Sequence, residues 1–598
     1  MTTKYSDLLA DWLREMGYTT CFFVAGGNIM HALESFRHRF DMRPTVHEVC
    51  AGIAAEYFNE VSDGPKAFAL VTAGPGLTNI VTALGGAYLE SRELLVLGGQ
   101  VKTADLSRGA LRQRGIQEID GVAIAAPVCV AAVRLEEPAP RAEWERLVAL
   151  TREGRRGPVF VELPLDVQAR PVDAAALSAG RFAPDPLPVA GEETVEEIAA
   201  LLREAERPVL LIGGGVSRAT ARALRPRLAE LGVPLTTTWN GADRVPEDHP
   251  LYFGRPNTWG QRSANLVLQQ ADALVVLGSR LGLQQTGFNW QEFAPVARVA
   301  QVDVDRAELE KGHPRVDLPV RADANDLLRR LAARGDLGRH DGWVAYCRRV
   351  RAAIPLVEPV NSTGQGYLSP YAFATALSDL CREDDLVIPC SSGGAFTVPM
   401  QSFRLRAGQA MVTNKGLAAM GYGLSGAIGA ALAHPGRRAV LVEGDGGFAQ
   451  NLQEIGTAVV NRLDLKIFIH DDGGYASIRM TQRNYFKGEY IGCDTGSGLG
   501  MPRWERVFDA YDVPSMPLGP GFERDPAFRA LFDAPGVAAF LVRIDPEQTY
   551  LPKISSRVVA GGGMASEPLH RMSPPLDPGL LAEVGRYLPA AAPEEALG

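Results

Sequence analysis

The segment Gly444 to Tyr475 constrains this chain more than any other. It reads GDGGFAQNLQEIGTAVVNRLDLKIFIHDDGGY. An apolar strand, Ala439 to Val442, runs into Gly444-Asp445-Gly446-Gly447, and a helical pattern follows from Phe448 to about Asn461. A second strand, Leu465 to Ile469, ends in Asp471-Asp472-Gly473-Gly474. In a βαβ unit both strand ends open at the same sheet edge, so Asp445 and Asp472 stand side by side. Two hard oxygen ligands beside glycine turns suit a divalent cation carrying a diphosphate. Glycine lets backbone N–H groups approach phosphate oxygens, and a helix start adds a favourable dipole. A lone GDGG is usually only a turn. Here the spacing, the second strand and the second acidic turn all agree with the metal–diphosphate reading.

At 598 residues the chain exceeds a single core and predicts three or four domains. A hydrophobic content of 46%, a charged content of 22% and a net charge of −9 fit an ordinary globular enzyme. There is no dense Lys/Arg run, which argues against nucleic acid or an anionic membrane as partner. No segment approaches a membrane span, and the N-terminus carries no signal pattern. Seven cysteines without a CxxC read as reduced, mostly buried thiols of a cytoplasmic protein, with no zinc site.

The expected fold class is α/β, with three doubly wound parallel-sheet domains. The first covers 1–181, with strands at Cys21–Val24, Ala67–Thr72, Leu94–Gly98 and Val159–Leu163. A Pro-rich linker leads to the second, 194–335, which opens on a helix and the strand PVLLIGGG. A looser segment, 336–365, precedes the third, 366–550. The tail, 551–598, reads as an arm over the surface or over a neighbouring subunit, with a frayed end.

Near the N-terminus, three strand–turn–helix segments read FFVAGGNIMHALESF, PTVHEVCAGIAAEYF and FALVTAGPGLTNIVTALGG. The TAGPGLTN turn (72–79) is not a P-loop, because no Gly-Lys-Ser/Thr follows. An isolated Glu48 at a helix start is ordinarily a charge helped by the dipole.

Together these motifs resemble the thiamine diphosphate enzymes of the acetohydroxyacid synthase and pyruvate decarboxylase group, along nearly the whole chain. The resemblance implies that Asp445, residue 472 and the carbonyl of Gly474 hold Mg²⁺. Asp472 departs from the usual Asn and adds a negative charge beside an anionic cofactor. The diphosphate side would comprise Gly444, Asp445, Gly446, Gly447, Asp472, Gly474 and Tyr475, with Gly393 in CSSGGAF as a second loop. Gly394 and Ala395 replace the Gln-His pair of acetohydroxyacid synthases, which removes side-chain contacts there. Gly26 and Gly74 mark the pyrimidine-side turns, and Glu48 matches the catalytic glutamate. That carboxylate shares a proton with pyrimidine N1′, so the cofactor's own amino group can take the C2 proton. Apolar surroundings favour such sharing. Met420 matches the bulky residue beneath the bent cofactor, a place that buries it, as would a core role. In the family Glu48 and Asp445 come from different subunits, which implies at least a homodimer and leaves dimer against tetramer open.

The middle unit carries a weak dinucleotide signal. Gly213-Gly214-Gly215 follows a strand, but Arg218 breaks the GxGxxG pattern. Such turns are often only tight connections. By resemblance this domain binds FAD, with Gly214, Arg280 in GSRLG and Asp303 in VDVD as candidates, although fuller flavin patterns are missing.

The activity implied is that of a carboligase. It would decarboxylate a 2-keto acid such as pyruvate and transfer the two-carbon unit to a second carbonyl. Gln100 and Gln117 fall where substrate-facing glutamines lie. Thr481 replaces the tryptophan that narrows the acceptor pocket, so a bulkier acceptor such as a keto-sugar is expected. Acetolactate synthesis from pyruvate alone, simple keto acid decarboxylation and a non-catalytic cofactor-binding paralogue are the alternatives. His470, beside the metal turn, reads as a packing residue more than a proton relay.

Overall fold

The computed structural model describes residues 2–558 and 564–589. Three all-parallel sheets lie in sequence along the chain, each covered by helices. In the first, the strands in spatial order are Asp41–Pro44, Tyr18–Phe23, Lys66–Val71, Leu94–Gln100, Pro158–Pro164 and Ala131–Arg134. The second has five strands: Leu235–Thr237, Pro208–Ile212, Ala273–Leu277, Arg298–Asp303 and Leu318–Arg321. The third runs Ala410–Met411, Leu386–Pro389, Ala439–Gly444, Leu465–Asp471, Ala538–Arg543 and Ser515–Leu518. Numbered along the chain, the first and third sheets share one strand order, 2-1-3-4-6-5. Their inner strands are mostly apolar runs because both faces are buried, whereas the edge strand Asp41–Pro44 is not.

The first and third units share a core. The helix Glu48–Val61 lies against the helix Tyr422–Ala433, and glycine makes the contact possible. A Cβ at Gly429 would sit 2.0 Å from the Ala54 carbonyl oxygen, and one at Gly426 would meet the Tyr57 ring at 2.6 Å. Across this seam the Tyr422 hydroxyl donates to Glu56, and Arg92, paired with Glu56 at 2.9 Å within the first unit, donates to the Thr413 carbonyl of the third.

Two segments depart from the expectations. The stretch 336–365 is not merely loose, since it carries the helix Asp341–Ala353. Trp343, Val344, Tyr346, Cys347 and Val350 bury its inner face. The helix expected over 448–461 is broken into Asp445–Phe448, a 3₁₀ turn Leu452–Glu454 and Ile455–Val460. The break falls at Asn451, whose side-chain amide donates to the Gly421 carbonyl at 2.7 Å. A long-range bond therefore overrides the local helical pattern.

The arm packs on the middle unit of its own chain. Ile554, Leu569, Met572 and Val584 join that unit's core, and Arg262 donates to the carbonyls of Met572 and Pro574. The end expected to fray, 590–598, lies outside the described residues. All seven cysteines are buried free thiols. Among the described residues no helix is long and apolar enough to cross a membrane.

Candidate functional site

The strands Ala439–Gly444 and Leu465–Asp471 are parallel neighbours, with Gly444 opposite His470. Their turns therefore meet at one edge. Asp445 is 1% exposed and its carboxylate ties the two turns together. One oxygen accepts from Gly446 N–H at 2.6 Å, and the other from Gly473 and Gly474 N–H at 2.9 Å each. The Gly474 carbonyl oxygen lies 3.0 Å from the Cβ position of Gly446. That same Cβ would overlap the Tyr475 ring at 2.3 Å, so only glycine admits the tyrosine here.

Asp472 is also buried. Burial, then Asp472 and Asp471, push the Asp445 carboxyl well above the usual carboxylate range. Burial also pushes Asp472 up, against the opposing pull of Arg479. Two buried carboxylates are a costly pair without a cation. With the nearby Gly474 carbonyl they form a hard, all-oxygen donor set that leaves positions for phosphate and water, as Mg²⁺ prefers. The residues present fit a metal–diphosphate group.

Two residues of this site escape sequence reasoning. Arg479, 3% exposed, donates to the Asp472 carbonyl at 2.7 Å, to its carboxylate at 3.2 Å and to the Pro546 carbonyl at 3.3 Å. It offsets the charge that Asp472 brings. Tyr550 fills the space that Gly394 leaves open, because a Cβ there would fall 2.1 Å from its ring. Burial raises the Tyr550 phenol well above its ordinary value, and Asp472 adds to the effect. Gly393 opens the helix Gly394–Ser402 with φ of +73°, and its Cβ position faces the Ser477 hydroxyl at 3.6 Å. His470 is buried against Phe373, and neither ring nitrogen has a partner among the described residues. Burial holds it down to about 3, so it stays neutral, which fits packing.

The pyrimidine-side residues also come together. Glu48 opens its helix after the strand Asp41–Pro44 and is 7% exposed. The Asn79 amide donates to Glu48 Oε2 at 2.9 Å, which joins it to the TAGPGLTN turn. The backbone N–H groups of Val46 and His47 donate to Glu454 of the third unit, at 3.3 and 3.0 Å. Gly74 has φ of +64°, and a Cβ there would lie 2.6 Å from the Gln117 carbonyl oxygen, so this turn requires glycine. Gln117 itself sits at φ +62°, a strained value for a residue with a side chain. Gly26 closely approaches Thr72, at 2.4 Å from its Cβ position.

Gln100 offers a different geometry from the expected substrate contact. It is fully buried; its amide donates to the Ile119 carbonyl at 2.8 Å and to Glu162 at 3.1 Å, and its oxygen accepts from Val101 N–H. These bonds spend its polar atoms on the base of the loop that carries Gln117. Met420 differs too. It is 38% exposed rather than buried, and Gln450 reaches its sulfur at 3.6 Å.

In the middle unit, Gly214, Arg280 and Asp303 line one cavity of about 330 Å³. A Cβ at Gly213 or Gly215 would collide with the Gly278 backbone, at 2.2 and 2.7 Å, so these two glycines are tight connections. Trp239, Asn240, Glu90 and Lys415 line the same cavity, so all three units enclose it.

Three family descriptions match the sequence: thiamine pyrophosphate enzyme, N-terminal TPP binding domain over 3–124, central domain over 195–331, and C-terminal TPP binding domain over 391–542. The acetolactate synthase isozyme 1 large subunit of Escherichia coli (strain K12) is 29% identical over 556 residues, 92% of this chain and 95% of that protein. The probable acetolactate synthase large subunit of Methanocaldococcus jannaschii is 31% identical over 453 residues, 74% of this chain and 75% of its own length. The acetolactate synthase large subunit of Corynebacterium glutamicum is 29% identical over 90% of this chain and 86% of that protein. With these matches and the carboxylate pair at the paired strand ends, the chain belongs to the thiamine pyrophosphate enzymes and is an acetolactate synthase-like enzyme dependent on thiamine diphosphate.

Proposed function

We propose that this enzyme is a carboligase that decarboxylates a 2-keto acid, pyruvate in the simplest case, and joins the two-carbon unit to a second carbonyl. The observation that carries the reading is Asp445, buried and hydrogen-bonded across both glycine turns. It prepares one sheet edge for a metal-bound diphosphate. Asp445, Asp472 and the Gly474 carbonyl hold Mg²⁺, and Gly393, Gly444, Gly446, Gly447 and Tyr475 surround the diphosphate. The bound cofactor supplies the electron sink for decarboxylation and carbon–carbon bond formation.

The protein's own work is orientation and proton placement. Asn79 occupies Glu48 Oε2 and leaves Oε1 free for a proton at pyrimidine N1′. Gln117, held at a strained backbone angle against the Gly74 turn, would face the substrate. Gln100 acts as a positioning residue beneath that loop. A second copy completes the site. Ile116, 85% exposed, Val46 and Met420 stand uncovered beside Gln117, Glu48 and the metal turns, which supports an interface there. The domains divide as 1–181, 194–335 and 366–550, with the arm from 551. FAD occupies the middle cavity, whose lining includes Gly214, Arg280 and Asp303.

The names of the relatives favour a second pyruvate as acceptor. One feature favours a larger acceptor: Thr481 is exposed, its hydroxyl turned back to the Ser477 carbonyl at 3.0 Å. Supplying thiamine diphosphate, Mg²⁺ and pyruvate, alone or with a panel of keto-sugars and aldehydes, and reading products by mass tests both. Acetolactate alone selects the first acceptor and a mixed adduct the second. No ligated product in any arm refutes the carboligase reading.

A further inference from the structure

The helix Gly394–Ser402 starts beside the metal turns. Gly393 leads into it with φ of +73°, and the first N–H groups of a helix have no partner within it. By itself such a start marks nothing. Here a buried tyrosine is aimed at it from far along the chain. A Cβ on Gly394 would lie 2.1 Å from the Tyr550 ring and 2.4 Å from its hydroxyl oxygen. The phenol oxygen therefore stands where a side chain on the first helical residue would begin.

The backbone is pinned on both sides of Tyr550. Arg479, which holds the Asp472 turn, also donates to the Pro546 carbonyl at 3.3 Å. Downstream, Asn361 donates to the Leu551 carbonyl at 2.6 Å and Gln401 to the Pro552 carbonyl at 3.2 Å. Tyr371, Ala374, Val398 and Met480 pack with the ring. The hydroxyl is thus placed by bonds that the phenol itself does not make.

Tyr550 is 2% exposed, and its hydroxyl makes no hydrogen bond among the described residues. A buried hydroxyl without a partner is costly. Its surroundings decide which partner suits it. Burial and then Asp472 raise the phenol, and Asp445 adds to the effect, so the group stays protonated and can donate. A donor beside the N–H groups of a helix start suits an anion. Tyr371 makes the contrast. Its hydroxyl is also buried and unpaired, but burial and Glu358 raise it, and the metal-turn carboxylates do not.

We infer that Tyr550 is a diphosphate-binding residue, whose hydroxyl donates to a phosphate oxygen at the start of the helix Gly394–Ser402. This rests on the metal–diphosphate reading given above and adds to it a donor from the junction between the third unit and the arm. The phenol holds the anion without bringing a charge of its own. The residue that fills the space over Gly394 therefore also binds what Asp445 and Asp472 anchor through the metal.

The test uses the full chain stripped of cofactor, with Mg²⁺ present and with thiamine diphosphate and inorganic pyrophosphate as probes, each read by calorimetry. Tyr550→Phe keeps the ring and removes the hydroxyl. It is expected to weaken both probes by about ten- to a hundredfold and to leave the thermal midpoint of the cofactor-free protein unchanged. Tyr371→Phe is expected to leave both affinities at the parental level. If Tyr550→Phe binds both probes as the parent does, the inference is overturned and the metal–diphosphate reading stands. If the parent binds neither probe, both fall. Loss of thiamine diphosphate affinity with pyrophosphate unchanged puts the hydroxyl on another part of the cofactor and overturns the inference. So does an equal loss in Tyr371→Phe, or a lowered midpoint in cofactor-free Tyr550→Phe, because the hydroxyl then serves the fold.

Discussion

The first and third units are one scaffold used twice. Both sheets run 2-1-3-4-6-5, and in both the candidate residues stand at the C-terminal ends of the same four strands. Gly26 and Gly393 follow the first strand of each. Glu48 and Met420 follow the second. Gly74 and Asp445 follow the third, while Gln100 ends the fourth strand of the first sheet and Asp472 follows the fourth of the third. The helices after each second strand pack on one another. The topology therefore chooses where chemistry can occur, and the turn residues choose which chemistry. The first unit presents one carboxylate beside an amide, which suits handling a proton. The third presents two carboxylates among backbone N–H groups, which suits holding a cation and a diphosphate. Equal folds need not share a single functional side chain.

The sharpest break of this comparison lies in the third unit. Asp445→Ala removes the carboxylate that bridges both turns, together with its three backbone bonds. The expected outcome is loss of thiamine diphosphate and Mg²⁺ retention, read by cofactor content after desalting. Retention at the parental level would remove the anchor role. The matching change in the first unit, Glu48→Gln, is expected to keep the cofactor and lower turnover by about 10²- to 10⁴-fold. If that variant loses cofactor instead, the division between a holding half and a proton half fails.

The sequence makes this division legible because glycine turns after apolar strands are local signals. Asp445, Glu48 and Gly74 stand within a few residues of the strand end that positions them. What escaped depends on distance along the chain. Tyr550 reaches the metal turn from beyond the last strand, and nothing at Gly394 announces the ring that fills its space. Arg479 lies on a helix where a charged residue ordinarily faces solvent, yet it is buried on carbonyls from two other turns. Gln100 ends its strand as a substrate residue would, but Glu162, 62 positions onward, claims its amide. The helix Asp341–Ala353 did carry a helical apolar pattern, obscured by the arginines on its outer face. Lys415 belongs to the third unit by sequence and to the middle cavity by position, which no reading of the middle unit alone could find.

The smallest expected effect concerns the one residue at which the metal turn departs from the pattern that the resemblance implies. Asp472→Asn keeps an oxygen ligand and removes one of two mutually repelling charges, so Mg²⁺ affinity is expected to change by less than about tenfold. Arg479 gives this expectation its second handle. It pairs with Asp472 at 3.2 Å while both are nearly excluded from water, so the two changes should not add. In metal-free protein, Arg479→Met is expected to cost about 1 kcal/mol more stability with Asp472 present than in the Asp472→Asn background, read as a double-mutant cycle in denaturant. Additive losses would mean that Arg479 serves only the carbonyls of Asp472, Gly473 and Pro546, and that the extra charge of Asp472 is balanced by the metal alone. Non-additive losses would mean that the third unit carries its own counter-charge, a device with no counterpart at Glu48, where the neighbour is a neutral amide.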